Sequence, residues 1–138
     1  MSFEVFIQRI DEHGETIPVA RDKIRPFFPV VEDKSESDFW HIRYGESYCH
    51  VNLHVRKNDP QLIDRIVVWR PCDDEKLWEA IYNLMSQEKM LMYYPGCEGP
   101  LVAVQNAAVP LPADMIAALG PPVLVASGRD ITRAITGR

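Results

Sequence analysis

The residues between 39 and 56 alternate between apolar and polar side chains, and this alternation constrains the fold more than any other feature of the chain. Successive side chains of a β-strand point to opposite faces, so a period of two residues indicates a strand with one buried face. Gly45-Glu46-Ser47 interrupts the pattern once. The apolar series is Trp40, Ile42 and Tyr44 before the interruption and Cys49, Val51, Leu53 and Val55 after it. Two antiparallel strands joined by a tight turn are therefore predicted.

The length of the turn decides which side chains face each other across this hairpin. A three-residue loop would place Ile42 opposite the polar side chain of His50. A two-residue Gly45-Glu46 loop places Ile42 opposite Cys49 and keeps the apolar side chains together, and glycine at the first loop position suits a type II′ turn. We therefore predict the two-residue loop. In that register the polar cross-strand pairs are His41 with His50 and Arg43 with Tyr48.

The remaining elements predict an α+β fold in a single domain over residues 1–138. A third strand, Ile63 to Arg70, follows the Asn58-Asp59-Pro60 turn and completes an antiparallel β-meander over about residues 39–70. Strand and helix signals alternate without regular βαβ units, which favours α+β over α/β. The other predicted elements are strands at Phe3–Ile10, Met90–Tyr94, Leu101–Val104 and Pro122–Ala126, helices at Pro18–Arg25, Pro112–Leu119 and Ser127–Thr136, and an exposed loop at Glu32–Asp38. A further helix starts near Asp73 or Asp74 and buries Leu77, Trp78, Ile81, Leu84 and Met85.

Composition narrows the class of protein. The 138 residues carry 15 basic and 20 acidic side chains, a net charge of −5, which disfavours nucleic-acid binding through a general basic field. Three cysteines without a C-x-x-C pair indicate free thiols in a reducing compartment. The start of the sequence lacks a signal-peptide pattern, and no apolar run reaches the roughly 20 residues of a membrane span. We expect a cytoplasmic protein without a membrane segment.

The histidines are the first candidates for chemistry. His50 and His54 share a strand face but are separated by about 13 Å, at ~3.3 Å per residue, which is too far for two ligands of one metal ion. His41 and His50, as cross-strand neighbours, are close enough to share a metal. Such a site needs further ligands that the pattern does not supply, so solvated histidines on a sheet face are favoured and no metal is predicted.

No catalytic residue or cofactor is predicted. The sequence contains no nucleophile elbow, phosphate-binding loop, dinucleotide fingerprint or metalloprotease motif. Cys72 precedes a helix N-terminus, where its pKa could be lowered, but a packed boundary cysteine is the favoured interpretation. Gly96-Cys97-Glu98-Gly99 carries an acid and no Lys, Ser or Thr, and indicates a turn.

Two surfaces are candidates for binding a partner. Acidic side chains concentrate at Glu32–Asp38 and at Asp73, Asp74 and Glu75, with Glu79 one turn on, and could steer a basic partner. The polar face of the hairpin combines aromatic, arginine and histidine side chains, a composition typical of interfaces. The alternative for this face is that a helix covers part of it. The candidate binding residues are Asp73, Asp74, Glu75, Arg43, Tyr48 and His50.

Several segments together resemble small bacterial proteins of uncharacterised function, some of which are similar to immunity partners of polymorphic or contact-dependent toxins. The segments are Phe3-Glu4-Val5-Phe6-Ile7-Gln8, Arg70-Pro71-Cys72-Asp73 before Leu77-Trp78, Tyr94-Pro95-Gly96, Leu111-Pro112-Ala113-Asp114-Met115 and Ser127-Gly128-x-Asp130-Ile131. Immunity proteins share small size, acidity and the absence of catalytic motifs, so the resemblance transfers no functional residues. It implies a stoichiometric inhibitor that binds a toxin domain.

Three hypotheses follow from the sequence. The first is a non-enzymatic protein-binding module, an immunity protein that neutralises a cognate bacterial toxin. The second is a small-molecule or metal-binding protein, or an enzyme, built around His41 and His50 on the sheet face. The third is a homo-oligomer that uses the sheet face as its subunit interface, with a monomer or a homodimer as the expected states.

Overall fold

The computed structural model describes residues 3–34 and 38–137, without the side chains of residues 33 and 34. The strands are β1 Glu4–Ile10, β2 Thr16–Ile17, β3 Val19–Ala20, β4 Val30–Lys34, β5 Phe39–Tyr44, β6 Ser47–Arg56, β7 Asp59–Trp69, β8 Leu91–Tyr93, β9 Leu101–Ala103 and β10 Val123–Val125. The α-helices are α1 Arg21–Ile24, α2 Glu75–Glu88, α3 Ala113–Leu119 and α4 Gly128–Thr136, with 3-10 turns at Arg25–Phe27 and Val104–Asn106.

The strands form one mostly antiparallel sheet in the order β10-β9-β8-β1-β7-β6-β5-β4, with β2 paired to β1 and β3 paired to β7. Only β9 and β10 run parallel among the described strand pairs. The first strand lies in the middle of the sheet, between β7 and β8. The predicted α+β class is confirmed.

The meander and its register are as the alternation predicts. Ile42 lies opposite Cys49 and Trp40 opposite Val51, around the two-residue turn at Gly45-Glu46. Gly45 has a φ of 60°, a conformation that glycine adopts without a steric cost. The third strand is longer than predicted, because it begins at Asp59 and pairs with Arg56 directly across the turn.

Two predicted segments are wrong in part. The helix predicted over Pro18–Arg25 begins only at Arg21, because residues 19–20 form β3, where Val19 is buried opposite Ile63 of β7. The loop predicted over Glu32–Asp38 begins instead as β4, which pairs with β5 along the edge of the sheet. An edge strand tolerates charged side chains and therefore shows no apolar alternation. Residues 35–37 of this segment lie outside the described part of the chain.

Helices α2 and α4 cover one face of the sheet and enclose the main core. The five apolar side chains predicted for the α2 stripe are all buried, together with Trp40 and Ile42 from the hairpin. The two helices approach closely at Gly128, where an added Cβ would lie 2.5 Å from the backbone nitrogen of Glu79. Glycine is thus required for this packing. No helix among the described residues has the length and apolar character needed to cross a membrane.

Among the described residues, the opposite face of the sheet is covered at one end only. There Ile10, Leu91 and Val102 form a small second cluster, against which Leu111 and Met115 pack. Met115 belongs to α3, so this helix covers the β8–β9 end and not the hairpin face, for which helical cover is the alternative expected from the sequence. At the other end, across β5, β6 and the end of β7, Tyr48 and Trp69 are 49% and 41% exposed. This uncovered end is the largest departure from a closed two-layer fold.

Candidate functional site

The uncovered end of the sheet carries a group of aromatic, arginine and histidine side chains, which we call the open face. Cross-strand pairing aligns it in rows, with His41 opposite His50 and Arg43 opposite Tyr48, and with His50 opposite Trp69. The rows come from adjacent strands of a rigid sheet, so the side chains have fixed spacing. The open face consists of Phe39, His41, Arg43, Tyr48, His50, Asn52, His54, Arg65, Trp69 and Arg70.

Histidine and aromatic rings pack edge to face at the centre of the open face. The ring centroids of His41 and His50 are 4.8 Å apart at an interplanar angle of 89°. His41 packs in the same way against Tyr48, and His50 against Phe39. The Nε2 atom of His41 is buried without a hydrogen-bond partner among the described residues. The two imidazoles therefore pack as aromatic rings as well as polar groups.

The surroundings of His50 disfavour its protonation. Burial lowers the pKa of His50, and the nearby His41 and Arg70 lower it further. The Nδ1 atom of His41 lies 3.9 Å from the Glu32 carboxylate on β4. Even with this carboxylate nearby, the described residues contain no group of three or more His, Cys, Asp or Glu side chains placed to hold a metal ion.

A shallow depression of about 370 Å³ opens beside the histidines, and its lining places two large aromatic side chains next to an arginine. Tyr48 and Trp69 supply exposed ring surface, and Arg70, with a φ of 47°, turns out of the end of β7 beside them. The guanidinium of Arg43 lies 5.3 Å from the centroid of the Tyr48 ring. The lining residues are Phe39, Tyr48, Cys49, His50, Asn52, Trp69 and Arg70.

The open face continues toward the centre of the sheet through stacked contacts. The guanidinium of Arg65 lies 5.3 Å from the centroid of the Phe6 ring, and one of its nitrogens is 3.2 Å from Nδ1 of His54. Phe6 in turn stacks on Tyr93, at 5.2 Å between centroids. Burial lowers the pKa of His54, and Arg65 lowers it further. Aromatic and cationic side chains thus alternate from β5 to β8.

The structure brings together three of the six predicted binding residues. Arg43, Tyr48 and His50 lie side by side on the open face. The acidic residues Asp73, Asp74 and Glu75 lie instead at the start of α2, the helix that covers the other face of the sheet. The carboxylate of Asp74 accepts a hydrogen bond of 2.8 Å from the backbone nitrogen of Lys76 and so caps the helix.

Trp69 and Arg70 are site residues that the sequence pattern does not single out. They end a strand whose apolar run, Ile66-Val67-Val68-Trp69, shows no alternation. The register of β6 against β7 is the information that locates Trp69. In the observed pairing Trp69 lies opposite His50 and therefore on the same face of the sheet. That pairing could not be fixed from the sequence, because β7 begins earlier than its apolar run indicates.

The cysteines do not form a nucleophilic site. Burial raises the pKa of Cys49 to about 12, with a further contribution from Cys72. Burial also raises the pKa of Cys72, although the neighbouring Cys49 thiol offsets part of this rise. Because the thiolate is the reactive form, these two cysteines are inert packing groups at neutral pH. The predicted packing role of Cys72 agrees with this environment.

Comparison with protein-family models, with curated protein sequences and with solved structures finds no match to this chain. Its function must therefore be inferred from the chemistry of its own surface.

Proposed function

We propose that this chain is a non-enzymatic protein-binding module of the toxin-immunity type, and that it binds its partner through the open face. The observation that carries the proposal is the exposure of Tyr48 and Trp69 beside Arg43 and Arg70 on one uncovered sheet surface. Large exposed aromatic groups are costly to leave in water, and grouped ones mark sites of association. The toxin as partner is supported by the sequence resemblance alone.

The chemistry of the open face fits a protein interface. Tyrosine, tryptophan and arginine are the residues that most often dominate binding energy, and they cluster at the centre of interfaces. Here Tyr48 and Trp69 lie at the centre, beside His50. Three strands hold these side chains, so little conformational freedom remains to be lost on binding.

The acidic start of α2 has a different proposed role. The carboxylate of Asp74 caps the helix by accepting a hydrogen bond from the backbone nitrogen of Lys76. Asp73 and Glu75 lie at the start of the same helix, which covers the other face of the sheet, so they are not placed to contact a partner docked on the open face. We therefore place the affinity on the open face and assign the acidic residues no anchoring role.

The test is co-expression of the tagged chain with the adjacent reading frame of its native host, followed by affinity capture, mass spectrometry and a growth assay. We expect a stoichiometric partner whose toxicity the chain suppresses. The double variant Tyr48→Ala/Trp69→Ala should weaken capture at least tenfold, since each anchor typically contributes more than about 1.4 kcal/mol. Growth protection should be lost with it.

The matched control is Leu124→Ala, which removes an exposed apolar side chain of β10 at the far edge of the sheet. This variant should capture the partner and protect growth as well as the unaltered chain. Equal capture by the double variant would place the interface elsewhere. Absence of any toxic partner would overturn the immunity proposal and direct attention to ligands of His41 and His50.

A further inference from the structure

We infer that the partner surface that docks on the open face is acidic, a protein segment rich in aspartate and glutamate. This inference rests on the proposed function and specifies the chemistry of the partner. It is unexpected for a chain with a net charge of −5, because the overall charge alone would favour a basic partner.

The open face has a local excess of positive charge. Arg43, Arg65 and Arg70 have no carboxylate within ion-pair distance among the described residues. By contrast, Arg21 and Arg56, at the margin of the same sheet, each pair with an aspartate at 3.0 Å. Arg21 and Arg56 are thus neutralised within the chain, whereas the three arginines of the open face remain available to an external anion.

The carboxylates near the open face do not cancel this charge. Glu4 lies opposite Trp69 on β1, at the margin of the face, and Glu32 lies beside His41 on the edge strand β4. Glu4 forms no ion pair with an arginine of the open face among the described residues. In the described part of the chain, the three guanidinium groups of the open face thus outnumber the carboxylates at its margins, before any histidine is protonated.

The depression beside Trp69 is suited to a carboxylate side chain. Its lining includes Arg70, Asn52 and His50 together with the aromatic residues Phe39, Tyr48 and Trp69. Arginine next to apolar walls binds carboxylates strongly, because a guanidinium donates two parallel hydrogen bonds and is weakly hydrated. A glutamate or aspartate flanked by apolar residues would fill this site.

The same features of the open face favour a protein partner over a nucleic-acid partner. The described cations of the open face are arginines that already contact rings of this chain: Arg43 lies over Tyr48 and Arg65 over Phe6. Phosphate backbones are neutralised by long rows of mobile Lys and Arg side chains. Glu4 and Glu32 at the margins would also repel a passing strand of phosphates. In an acidic peptide that also has apolar residues, the carboxylates can pair with the arginines and the apolar side chains can pack on the aromatic rings.

The experiment is an NMR titration of the ¹⁵N-labelled full chain with three probes. The probes are a synthetic peptide of alternating Glu, Asp and Tyr residues, the same peptide with Lys in place of the acids, and a ten-nucleotide oligouridylate. We expect the acidic peptide to shift amides of β5, β6 and the end of β7, and to bind at least tenfold more tightly than the basic peptide. The affinity of the chain for the acidic peptide should also fall when the salt concentration is raised, because salt screens the attraction between opposite charges.

The double variant Arg43→Glu/Arg70→Glu should lose binding of the acidic peptide, and Arg43→Gln/Arg70→Gln should weaken it by a smaller factor. The control is Arg129→Glu, an exposed position on α4, which should bind like the unaltered chain. The spectrum of each variant shows whether it is folded. No preference for the acidic peptide, or shifts confined to other strands, would overturn the inference, as would tighter binding of the oligouridylate.

These outcomes separate the inference from the proposed function. If a captured toxin binds the Arg43→Glu/Arg70→Glu variant normally but not the Tyr48→Ala/Trp69→Ala variant, the function stands and the acidic partner is excluded. If the acidic peptide binds as expected but no toxin is captured, the acidic ligand stands and the immunity function fails.

Discussion

The phenol of Tyr44 illustrates how single side chains of the core depart from optimal packing. It is buried between the hairpin and α2, and its hydroxyl has no hydrogen-bond partner among the described residues. Burial raises the pKa of this hydroxyl well above its usual range, and the nearby Cys49, Cys72 and Asp74 raise it further. A buried polar group that lacks a partner costs about 1–3 kcal/mol.

Tyr44→Phe should therefore leave the chain as stable or make it more stable by up to about 1 kcal/mol, because the ring stays and the unpartnered hydroxyl is removed. Urea unfolding followed by circular dichroism measures this change. Tyr44→Ala is the control and should destabilise by about 3–5 kcal/mol through the cavity it creates. A loss of more than 1 kcal/mol in the phenylalanine variant would mean that the hydroxyl has a partner.

His50 and His54 make the stability of the chain depend on pH. Burial lowers the pKa of both in the folded state, so the unfolded chain takes up their protons first, at pH near 6.5. The contribution of these two histidines to the free energy of unfolding is thus fully present above pH 6.5, the approximate pKa in the unfolded chain. It is lost as the pH falls from there through their lower pKa values in the folded state.

The double variant His50→Gln/His54→Gln should show a smaller loss of unfolding free energy between pH 7.5 and pH 5 than the unaltered chain. Urea unfolding at several pH values in this range measures it, above the ordinary titration of carboxylates near pH 4. His13→Gln, on the exposed turn after β1, is the control for the loss of a histidine outside the open face. An unchanged slope in the double variant would contradict the assignment.

At the scale of elements, α2 shows how two neighbouring aspartates differ. The helix begins at Glu75, and Asp74 caps it. Asp74→Ala should cost about 1 kcal/mol of unfolding free energy, the usual value for a lost N-cap, while Asp74→Asn should preserve most of it. Asp73→Ala serves as the control and should change stability little. Equal losses from both alanine variants would show that charge, rather than capping geometry, stabilises the helix.

The elements that could be predicted from the sequence are those whose own side chains carry their pattern. The register of the hairpin and the α2 stripe depend on local periodicity, and both are confirmed. Strands β3 and β4 could not be predicted, because they are short or lie at an edge and owe their form to pairing with β7 and β5. The alternation within the hairpin also predicts that Arg43, Tyr48 and His50 lie on one face. The position of Trp69 depends on the pairing of β6 with β7, which the sequence does not reveal.

At the scale of the whole molecule, the order of the strands predicts how stability is distributed. Strand β7 is paired on both sides, with β6 and β1, whereas the three-residue β10 ends the sheet and pairs only with β9. Amide hydrogen exchange should therefore be slowest in the middle of β7, at Ile66–Val68, and at least about tenfold faster in β10. NMR-detected exchange at pH 7 measures both sets together. Comparable rates in the two strands would show that the edge opens only with global unfolding.

The central position of β1 has a consequence for how the chain is made. Its neighbours β7 and β8 follow it by about fifty and eighty residues, respectively, so residues 4–8, which pair with them, stay unpaired while the ribosome adds them. At about 5–20 residues per second, adding fifty residues takes roughly 2.5 to 10 s and adding eighty takes roughly 4 to 16 s. During synthesis, then, the strand that ends at the centre of the sheet is a nascent segment that holdase chaperones can bind, and the speed of translation governs how long it is exposed to them.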